Sequence, residues 1–212
     1  MQLSQDKAIR LLEKYNIPVC RSDLLRLERL YDIRIAYPVV IKTAAPEVLH
    51  KSDIGAVRTG IMNKEDLIAA AKEISDKVRS RFPSAEDIFL VQEEIKGKEL
   101  IIGMKRDPSF GPVIMFGLGG IFVEAFKDVS FRIAPIKHKD ALAMINEIKG
   151  SAILKGIRGE SPVDIGSVAD ILMKVARLSM DNREISELDL NPVMANQHGA
   201  KAVDVRIMGD FH

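Results

Sequence analysis

The hydrophobic positions in the N-terminal part of the chain switch between helical and alternating periods, which predicts helices interspersed with strands. Leu24, Leu27 and Leu30 recur at helical spacing after Ser22, a suitable residue to start a helix. The apolar run before Lys42 is typical of a buried strand that ends in a charge. Helices are therefore predicted after Ser4, Ser22 and Asn63, the last running to about Ser80, and strands at 38–42 and 57–62.

From about residue 88 the pattern is dominated by short β-rich runs separated by turns that contain Pro and Gly. Pro192, in one of these runs, indicates the end of regular strand pairing. The predicted strands are 88–92, 100–105, 113–116, 131–134, 185–194 and 202–207, and the predicted helices are 139–150 and 167–180. This order of elements predicts an α+β fold with two lobes.

The two lobes have expected bounds. The first lobe is expected at about 18–92 and the second at about 93–212, with an N-terminal helix at 4–16 packed alongside. A ligand cleft between the lobes is then the default place to look for chemistry.

Composition restricts the class of protein. Hydrophobic residues make up 47% and charged residues 29% of the 212 positions, which is typical of a globular domain and excludes general disorder. The 31 Lys and Arg residues nearly balance the 30 Asp and Glu residues, so a nucleic-acid-binding protein is not indicated.

The single cysteine and the apolar segments bear on location. Cys20 has no partner in the sequence for an internal disulfide, which suits a reducing compartment. The N-terminus lacks a signal-peptide pattern, and the most apolar stretch, 111–126, is shorter than the ~20 residues of a membrane-spanning helix. We therefore expect a cytoplasmic protein with no membrane segment.

Lys42 and the polar segment after it are the first candidates for chemistry. A lysine at the end of an apolar strand can reach a phosphate group, although a solvated lysine at the sheet edge also explains it. The segment 48–55 contains His50 and Lys51 and ends at Gly55, so it can fold over an anion. Neutral imidazole attacks phosphorus readily, which makes His50 a candidate phosphoryl carrier; an exposed loop histidine is the simpler interpretation.

Two acidic residues and a glycine-rich loop follow in the middle of the chain. Glu93 and Glu99 flank Gly97, and carboxylates there can accept hydrogen bonds from ribose hydroxyls; a polar hairpin is the alternative. The loop at 117–120 lacks both the Gly-Lys-Ser/Thr of a P-loop and the spacing of a dinucleotide fingerprint. A tight connection between strands explains its glycines equally well.

Polar residues near the C-terminus give the most informative pattern. Alternation with Leu188 and Leu190 places Asp189 and Asn191 on the same side of a strand. If the next strand pairs back, Asp204 approaches Asn191. Oxygen ligands with space for water suit Mg²⁺ bound to nucleotide phosphates, and a polar hairpin without a metal is the alternative.

Six sequence blocks, taken together and in order, resemble the ATP-grasp domain. The similarity is to the nucleotide-binding β subunit of ADP-forming acetyl/acyl-CoA synthetases, which are relatives of succinyl-CoA synthetase. The resemblance covers nearly the whole chain. The blocks are YPVVIK at 37–42, LHKSDIG at 49–55, KELIIGMKRDPSFGPVIMFGLGGIFVE at 98–124, KDVSFRIAPI at 127–136, LKGIRGESPVDI at 154–165 and ELDLNPV at 187–193.

The resemblance implies an ATP-grasp fold, with two α+β lobes that grip ATP in a cleft between them. Lys42 is similar to the family lysine that contacts the nucleotide phosphates. The 49–57 loop, with Lys51 and Gly55, is similar to the segment that closes over these phosphates.

The resemblance also implies roles for five acidic or amide side chains. Glu93 and Glu99 fall where the family holds adenosine and ribose. Asn191 and Asp204 match the pair that holds Mg²⁺. Asp189 matches an acidic position near an incoming phosphohistidine.

The reaction that the resemblance implies is reversible: acyl-CoA + ADP + phosphate ⇌ carboxylic acid + CoA + ATP. A partner α subunit, or a fused domain, binds CoA and forms an acyl phosphate, and its mobile histidine carries the phosphoryl group to the ATP-grasp site. His50 is implied as a second phosphoryl carrier. An α2β2 assembly is expected, and since no CoA-binding domain precedes residue 1, the chain alone is not expected to complete the reaction.

The sequence departs from the family at two places. Ala56 stands where a second glycine is common, which predicts a stiffer loop, and the segment 22–36 is shorter than usual. Two other functions stay open: a stand-alone ATP-grasp ligase that joins a carboxylate to an amine, and a non-catalytic nucleotide-sensing module. The leading hypothesis requires Asn191, Asp204 and Lys42 to clasp one magnesium triphosphate.

Overall fold

The protein, described here by a computed structural model, consists of two compact units. The larger unit is Met1–Val19 together with Lys96–His212, and the smaller unit is Cys20–Ile95. Each unit has its own hydrophobic core. The structure describes residues 1–45, 47–48, 54–120, 128–157 and 159–211.

Runs of consecutive strands are separated by helices along the chain, which gives an α+β fold. The elements are α1 (Gln5–Lys14), β1 (Ser22–Arg26), a 3-10 helix (Leu27–Asp32), β2 (Val39–Thr43), β3 (Val57–Ile61), α2 (Lys64–Arg81), β4 (Ile88–Glu93), β5 (Lys98–Asp107), β6 (Gly111–Leu118), β7 (Val129–Ile133), α3 (His138–Glu147), α4 (Ser151–Leu154), α5 (Ile165–Asp181), β8 (Ile185–Asn196), β9 (Gly199–Ala202) and β10 (Val205–Gly209). Among these helices, which cover the described residues only, none is both long and apolar enough to cross a membrane.

The smaller unit is an antiparallel sheet in the order β1-β4-β2-β3, with α2 on one face. Val39, Ile41 and Val91 point from the sheet into the core that α2 completes. Asn63 caps α2 as predicted, because its side chain accepts a hydrogen bond of 2.8 Å from the backbone N–H of Asp66. The opposite face of the sheet is therefore the one that carries Lys42.

The helix predicted after Ser22 is wrong. Ser22–Arg26 is strand β1, which pairs antiparallel with β4, and only a 3-10 helix follows it. Leu25 packs against the core whereas its neighbour Leu24 is 62% exposed, which is the period of a strand. Pairing with β4 therefore overrides the helical spacing of the leucines, as tertiary context often overrides local preference.

In its described residues, the larger unit contains a six-stranded antiparallel sheet in the order β10-β8-β5-β6-β7, with β9 paired to β8. Helix α5 packs against β5 and β6, α3 packs against α5 and β7, and α1 packs against β10. Leu100, Ile102 and Met104 of β5 and Leu188 and Leu190 of β8 all point into this helical layer. The residues that alternate with these along β5 and β8 lie on the face of the sheet away from the helices.

Strand β8 continues past Pro192 to Asn196, and its regular pairing is interrupted at this proline, as predicted, without ending the strand. Leu100 of β5 pairs with Val193, whereas Ile102 pairs with Leu190, so one β5 residue faces both Asn191 and Pro192. Such a bulge accommodates a proline, which has no N–H for the ladder, inside a central strand. The C-terminal region accordingly holds three strands rather than the two predicted.

Asp164 is the N-cap of α5. Its carboxylate accepts hydrogen bonds from the backbone N–H of Ser167 at 3.0 Å and from the Ser167 hydroxyl at 2.6 Å. These bonds to Ser167, chiefly that of the hydroxyl, hold the pKa of Asp164 below its usual value. The ionised carboxylate therefore stabilises the start of the helix against which the sheet packs.

Asp164→Ala is expected to lower the free energy of unfolding by about 1 kcal/mol at neutral pH, because an N-cap is lost. Folding lowers the pKa of this carboxyl, so its charge-dependent contribution exists above the unfolded value of 3.8 and disappears as the pH falls through the folded value. The difference between wild type and variant, measured by urea unfolding, should therefore shrink at about pH 3. Asp164→Asn, an uncharged cap, is the control, and an unchanged difference at low pH contradicts the assignment.

Candidate functional site

The hairpin formed by β8 and β10 carries the strongest candidate residues. The two strands are antiparallel, with Leu190 opposite Val205 and Asp189 opposite Arg206. The register continues one residue further, where the backbone N–H of Asn191 donates to the carbonyl of Asp204 at 3.3 Å. The predicted approach of Asp204 to Asn191 is thus confirmed, and directly opposed residues have Cβ atoms about 5 Å apart.

The side chains of these residues lie on the face of the sheet away from the helices. Leu188 and Leu190 are 1% and 0% exposed in the core, so the alternating Asp189 and Asn191 share the other face, as predicted. Asn191 is exposed, and Asp189 and Asp204 are half-buried. The backbone therefore presents an amide and two carboxylates on one surface of two adjacent strands.

Burial is the main influence on the ionisation of Asp189, and charges of both signs lie near it. Burial raises the pKa of its carboxyl, and nearby Glu187 and Asp204 raise it further, whereas Arg206 lowers it. Gly103 is its partner on β5, and the side chain of Met115 packs over this glycine, with its Cε 3.2 Å from where a Cβ would lie. A cation bound on this surface would relieve the repulsion between the carboxylates.

The donor set fits a hard divalent cation that shares its shell with phosphate and water. The amide oxygen of Asn191 and the carboxylate of Asp204 are both oxygen ligands, and Mg²⁺ is commonly held by one or two carboxylates plus substrate phosphates. Asp204 Oδ1 accepts a hydrogen bond of 3.0 Å from the N–H of Val205, which orients the carboxylate. In the described part of the chain, no group of three or more His, Cys, Asp or Glu side chains could hold a metal by itself. Two oxygen ligands leave most of the coordination shell of Mg²⁺ to phosphate oxygens and water.

Lys42 lies in the smaller unit, in the predicted strand. It is flanked by Leu90 on β4 and Val57 on β3, and only 7% of the residue is exposed. Its neighbours in sequence, Ile41 and Val39, point into the core on the other face. A lysine with so little exposure is costly unless an acceptor compensates its charge, and Lys42 has at least one polar or electrostatic interaction in the structure. An ammonium group at the end of an apolar strand can also contact a phosphate.

The acidic residues predicted to hold the nucleoside are placed differently from one another. Glu93 pairs with Val39, so it shares the helix-covered face, and its carboxylate accepts a hydrogen bond of 2.9 Å from the N–H of Arg21. Gln92, which the sequence analysis missed, lies on the Lys42 face instead, is 3% exposed and donates to Cys20 Sγ at 2.9 Å. Adjacent residues of a strand point to opposite faces, and this alternation could have assigned Gln92 and Glu93 to different faces.

Glu99 belongs to the larger unit and lies beside the glycine-rich loop. The N–H of Gly119 donates to its carbonyl at 2.7 Å, and a Cβ at Gly120 would lie 3.2 Å from its Oε2. A cavity of about 420 Å³ opens there. It is lined by Gly97, Lys98, Glu99, Leu118, Gly119, Gly120 and Ile153. Glycine at 119 and 120 thus lets the loop pack closely against Glu99, whose side chain is exposed at the cavity.

The 49–57 loop, which is predicted to close over phosphates, is described only from Ile54 onward. Gly55 has a φ of +67°, a conformation that other residues rarely adopt, and Ala56 next to it is fully buried. Burial of Ala56 against the core shows why a small side chain is needed there. His50 and Lys51 lie outside the described residues.

Arg206 is a second residue that the sequence analysis missed. It lies directly opposite Asp189 and two residues from Asp204, so it shares the face of both. The alternation of Asp204, Val205 and Arg206 was the available signal. The candidate surface therefore combines carboxylates, an amide and a guanidinium.

Comparisons with known proteins identify the family of the chain. A family model described as an ATP-grasp domain matches residues 1–208. The chain is 45% identical over 211 residues to the "Acetate--CoA ligase [ADP-forming] I subunit beta" of Pyrococcus furiosus, covering 97% of this chain and 91% of that protein. It is 47% identical over 207 residues to the "Acetate--CoA ligase [ADP-forming] I" of Archaeoglobus fulgidus; 95% of this chain matches, but it spans only 30% of that longer protein.

A solved structure gives the same picture. The dinucleotide-forming acetyl-coenzyme A synthetase 1 of Ca. Korarchaeum cryptofilum, in complex with coenzyme A, Ca-AMPCP and HgCl⁺, superposes with a TM-score of 0.92 at 44% identity. The match covers 99% of this chain and 93% of that one. This chain therefore belongs to the ATP-grasp domain family and, within it, to the group that contains the β subunits of ADP-forming acetate–CoA ligases.

Proposed function

We propose that this chain is the nucleotide-binding, phosphoryl-transfer subunit of an ADP-forming acyl-CoA synthetase, an acid–thiol ligase. The observation that carries the proposal is the cross-strand pair of Asn191 and Asp204 beside Asp189. It occurs in a chain that matches an acetate–CoA ligase β subunit along almost its whole length. The proposed reaction is acyl-CoA + ADP + phosphate ⇌ carboxylic acid + CoA + ATP.

The residues of the hairpin would position the nucleotide phosphates. Asn191 and Asp204 would hold Mg²⁺, which, when bound, neutralises charge on the phosphate oxygens. Lys42 contacts the same phosphates through its ammonium group, which its burial makes a strong electrostatic partner. Phosphoryl transfer depends mainly on such alignment and charge neutralisation, so these residues suit the reaction.

The phosphoryl group would travel by way of histidine. The P–N bond of a partner's phosphohistidine breaks as a nitrogen of His50 attacks phosphorus, and that new P–N bond breaks in turn when an ADP β-phosphate oxygen attacks. His50 must therefore be unprotonated at the attacking nitrogen, which is feasible near neutral pH. Asp189 lies near the incoming phosphohistidine in this proposal.

The remaining site residues contact the nucleoside and cover the phosphates. Glu99, beside the cavity at the glycine-rich loop, accepts hydrogen bonds from the ribose hydroxyls. Glu93 has the same proposed role, although its carboxylate also holds the N–H of Arg21. Lys51 and Gly55 belong to the covering loop, and the glycine conformation at Gly55 supports a tight turn there.

The proposal requires a partner that binds CoA. Relatives occur both as a separate β subunit and as part of a longer chain, of which this chain spans 30%, so the partner is an α subunit or a fused region. An α2β2 assembly in the cytoplasm is the arrangement we propose.

The function is tested by assaying ATP formation from acetyl-CoA, ADP and phosphate, with the chain alone and with the α subunit of the Pyrococcus furiosus acetate–CoA ligase. Activity is expected only with the α subunit. ATP formation by the chain alone would contradict the proposal, and amine-dependent ATP consumption would identify a stand-alone carboxylate–amine ligase. Nucleotide binding without any phosphorylated histidine would identify a sensing module.

Lys42→Met is expected to weaken binding of Mg·ATP to the chain by roughly 30-fold, the equivalent of about 2 kcal/mol for a lost charge-assisted contact. Methionine keeps the length of the side chain and removes a buried charge, so the fold should be retained. Isothermal titration calorimetry measures the affinity. Lys72→Met, at an exposed position of α2, is the matched control, and equal affinities of the two variants would exclude the phosphate contact.

A further inference from the structure

Arg206 is an exposed guanidinium on the candidate surface that the proposed function does not yet use. It lies on β10 directly opposite Asp189, and the next pair along the hairpin is Asn191 and Asp204. Directly opposed residues have Cβ atoms about 5 Å apart, and the positive charge of Arg206 accordingly lowers the pKa of the Asp189 carboxyl. Within the residues that the structure describes, no ion pair engages this guanidinium.

The surface around Arg206 carries more negative than positive charge, and the metal pair of Asn191 and Asp204 lies to one side of it. The carboxylates of Glu187, Asp189 and Asp204 share this face. Lys105 on β5 pairs with Glu187, four residues from Asn191 along β8, so its positive charge lies at the far end of the group. A transferred phosphoryl group brings further negative charge onto this surface. The phosphoryl oxygens that face Asp189 would be repelled by its carboxylate unless a cation lies beside it. Strand pairing places Arg206 at this position.

The chemistry of arginine suits this position. A guanidinium is always charged and offers a planar fork of donors that matches the oxygens of a phosphoryl group. Asp189 directly across the strand pair can orient the guanidinium without consuming all of its donors. An arginine placed only to offset carboxylates would not need this alignment with the metal pair.

We propose that Arg206 is a catalytic residue that binds the transferred phosphoryl group, with Asp189 as the residue that orients its guanidinium. The inference rests on the proposed function, since it assumes that Mg-nucleotide binds at Asn191 and Asp204. It predicts contact with the γ-phosphoryl group of ATP and none with the phosphates of ADP.

The experiment compares two probes on the full chain by calorimetry: Mg·ADP, and Mg·AMPPCP as a non-hydrolysable stand-in for ATP. Arg206→Gln is expected to weaken Mg·AMPPCP binding by about 10-fold or more, as for a lost charge-assisted contact, and to leave Mg·ADP within about 2-fold. Arg206→Lys keeps the charge but loses the fork, so an intermediate loss is expected. Arg183→Gln, an exposed arginine before β8, is the matched control and should change neither affinity.

The outcomes separate this inference from the proposed function. If Arg206→Gln weakens the binding of both probes equally, or changes the binding of neither, the inference is overturned. The proposed nucleotide site is unaffected by either result. Failure of the unaltered chain to bind either probe overturns the proposed function and the inference with it. Thermal unfolding of each variant establishes that a selective loss is not caused by a damaged fold.

Discussion

Replacing Asp204 by alanine is expected to weaken Mg²⁺-dependent nucleotide binding by at least about 100-fold, since even the loss of an outer-shell partner lowers metal affinity by about 10- to 100-fold. Asp204 supplies the carboxylate of the proposed metal pair, and Asn191 opposite it has only a neutral amide oxygen. The variant removes the formal charge that makes the site attractive to a divalent cation. Titration of the chain with ADP at several Mg²⁺ concentrations measures the effect.

Two controls make the Asp204 result specific. Asp204→Asn keeps the shape and one oxygen, so an intermediate loss is expected. Asp76→Asn removes an exposed carboxylate from α2 and should leave binding unchanged. If Asp204→Ala binds nucleotide with an unchanged Mg²⁺ dependence and affinity, the hairpin of β8 and β10 is not part of the metal site.

Replacing His50 by alanine is expected to abolish phosphorylation of the chain, lowering acyl-CoA-dependent ATP formation by about 1,000-fold or more, as loss of a nucleophile does. The reaction is reversible, so ATP labelled in its γ-phosphoryl group should phosphorylate the chain without the partner. A phosphohistidine label is stable to base and labile to acid, which distinguishes it from a phosphoserine.

Nucleotide binding should survive the His50 substitution, because the metal pair and Lys42 are unchanged. His198→Ala is the matched control, since His198 is an exposed histidine in the turn between β8 and β9. A base-stable label that persists in His50→Ala would assign the phosphoryl carrier to another residue. Loss of label together with loss of Mg·ADP binding would point to a damaged site rather than to a missing nucleophile.

The strand alternation made the central part of the site predictable from the sequence. Leu188 and Leu190 are apolar at a spacing of two, and this spacing is enough to assign Asp189 and Asn191 to the opposite face of the strand. The approach of Asp204 needed only that the following strand pair back, as it does. Local periodicity and one short connection therefore suffice to predict this hairpin.

Other features depend on contacts distant in sequence. The leucines from 24 to 30 have helical spacing, but β4, more than sixty residues later, provides a pairing edge that converts Ser22–Arg26 into a strand. The same pairing decides that Gln92 rather than Glu93 shares a face with Lys42. No local signal carries that information, because each choice depends on which strand the chain finds as its neighbour.

A backbone hydrogen bond joins the two proposed metal ligands, Asn191 and Asp204, and this has a consequence for the free energy of metal binding. Folding of the hairpin already fixes Asn191 opposite Asp204, so a metal ion would not have to organise a loose loop in order to gather its ligands. Such preorganisation favours affinity by reducing the conformational entropy lost on association. Cation affinity should accordingly tolerate alterations elsewhere in the molecule, and respond sharply to any slip of register between these two strands.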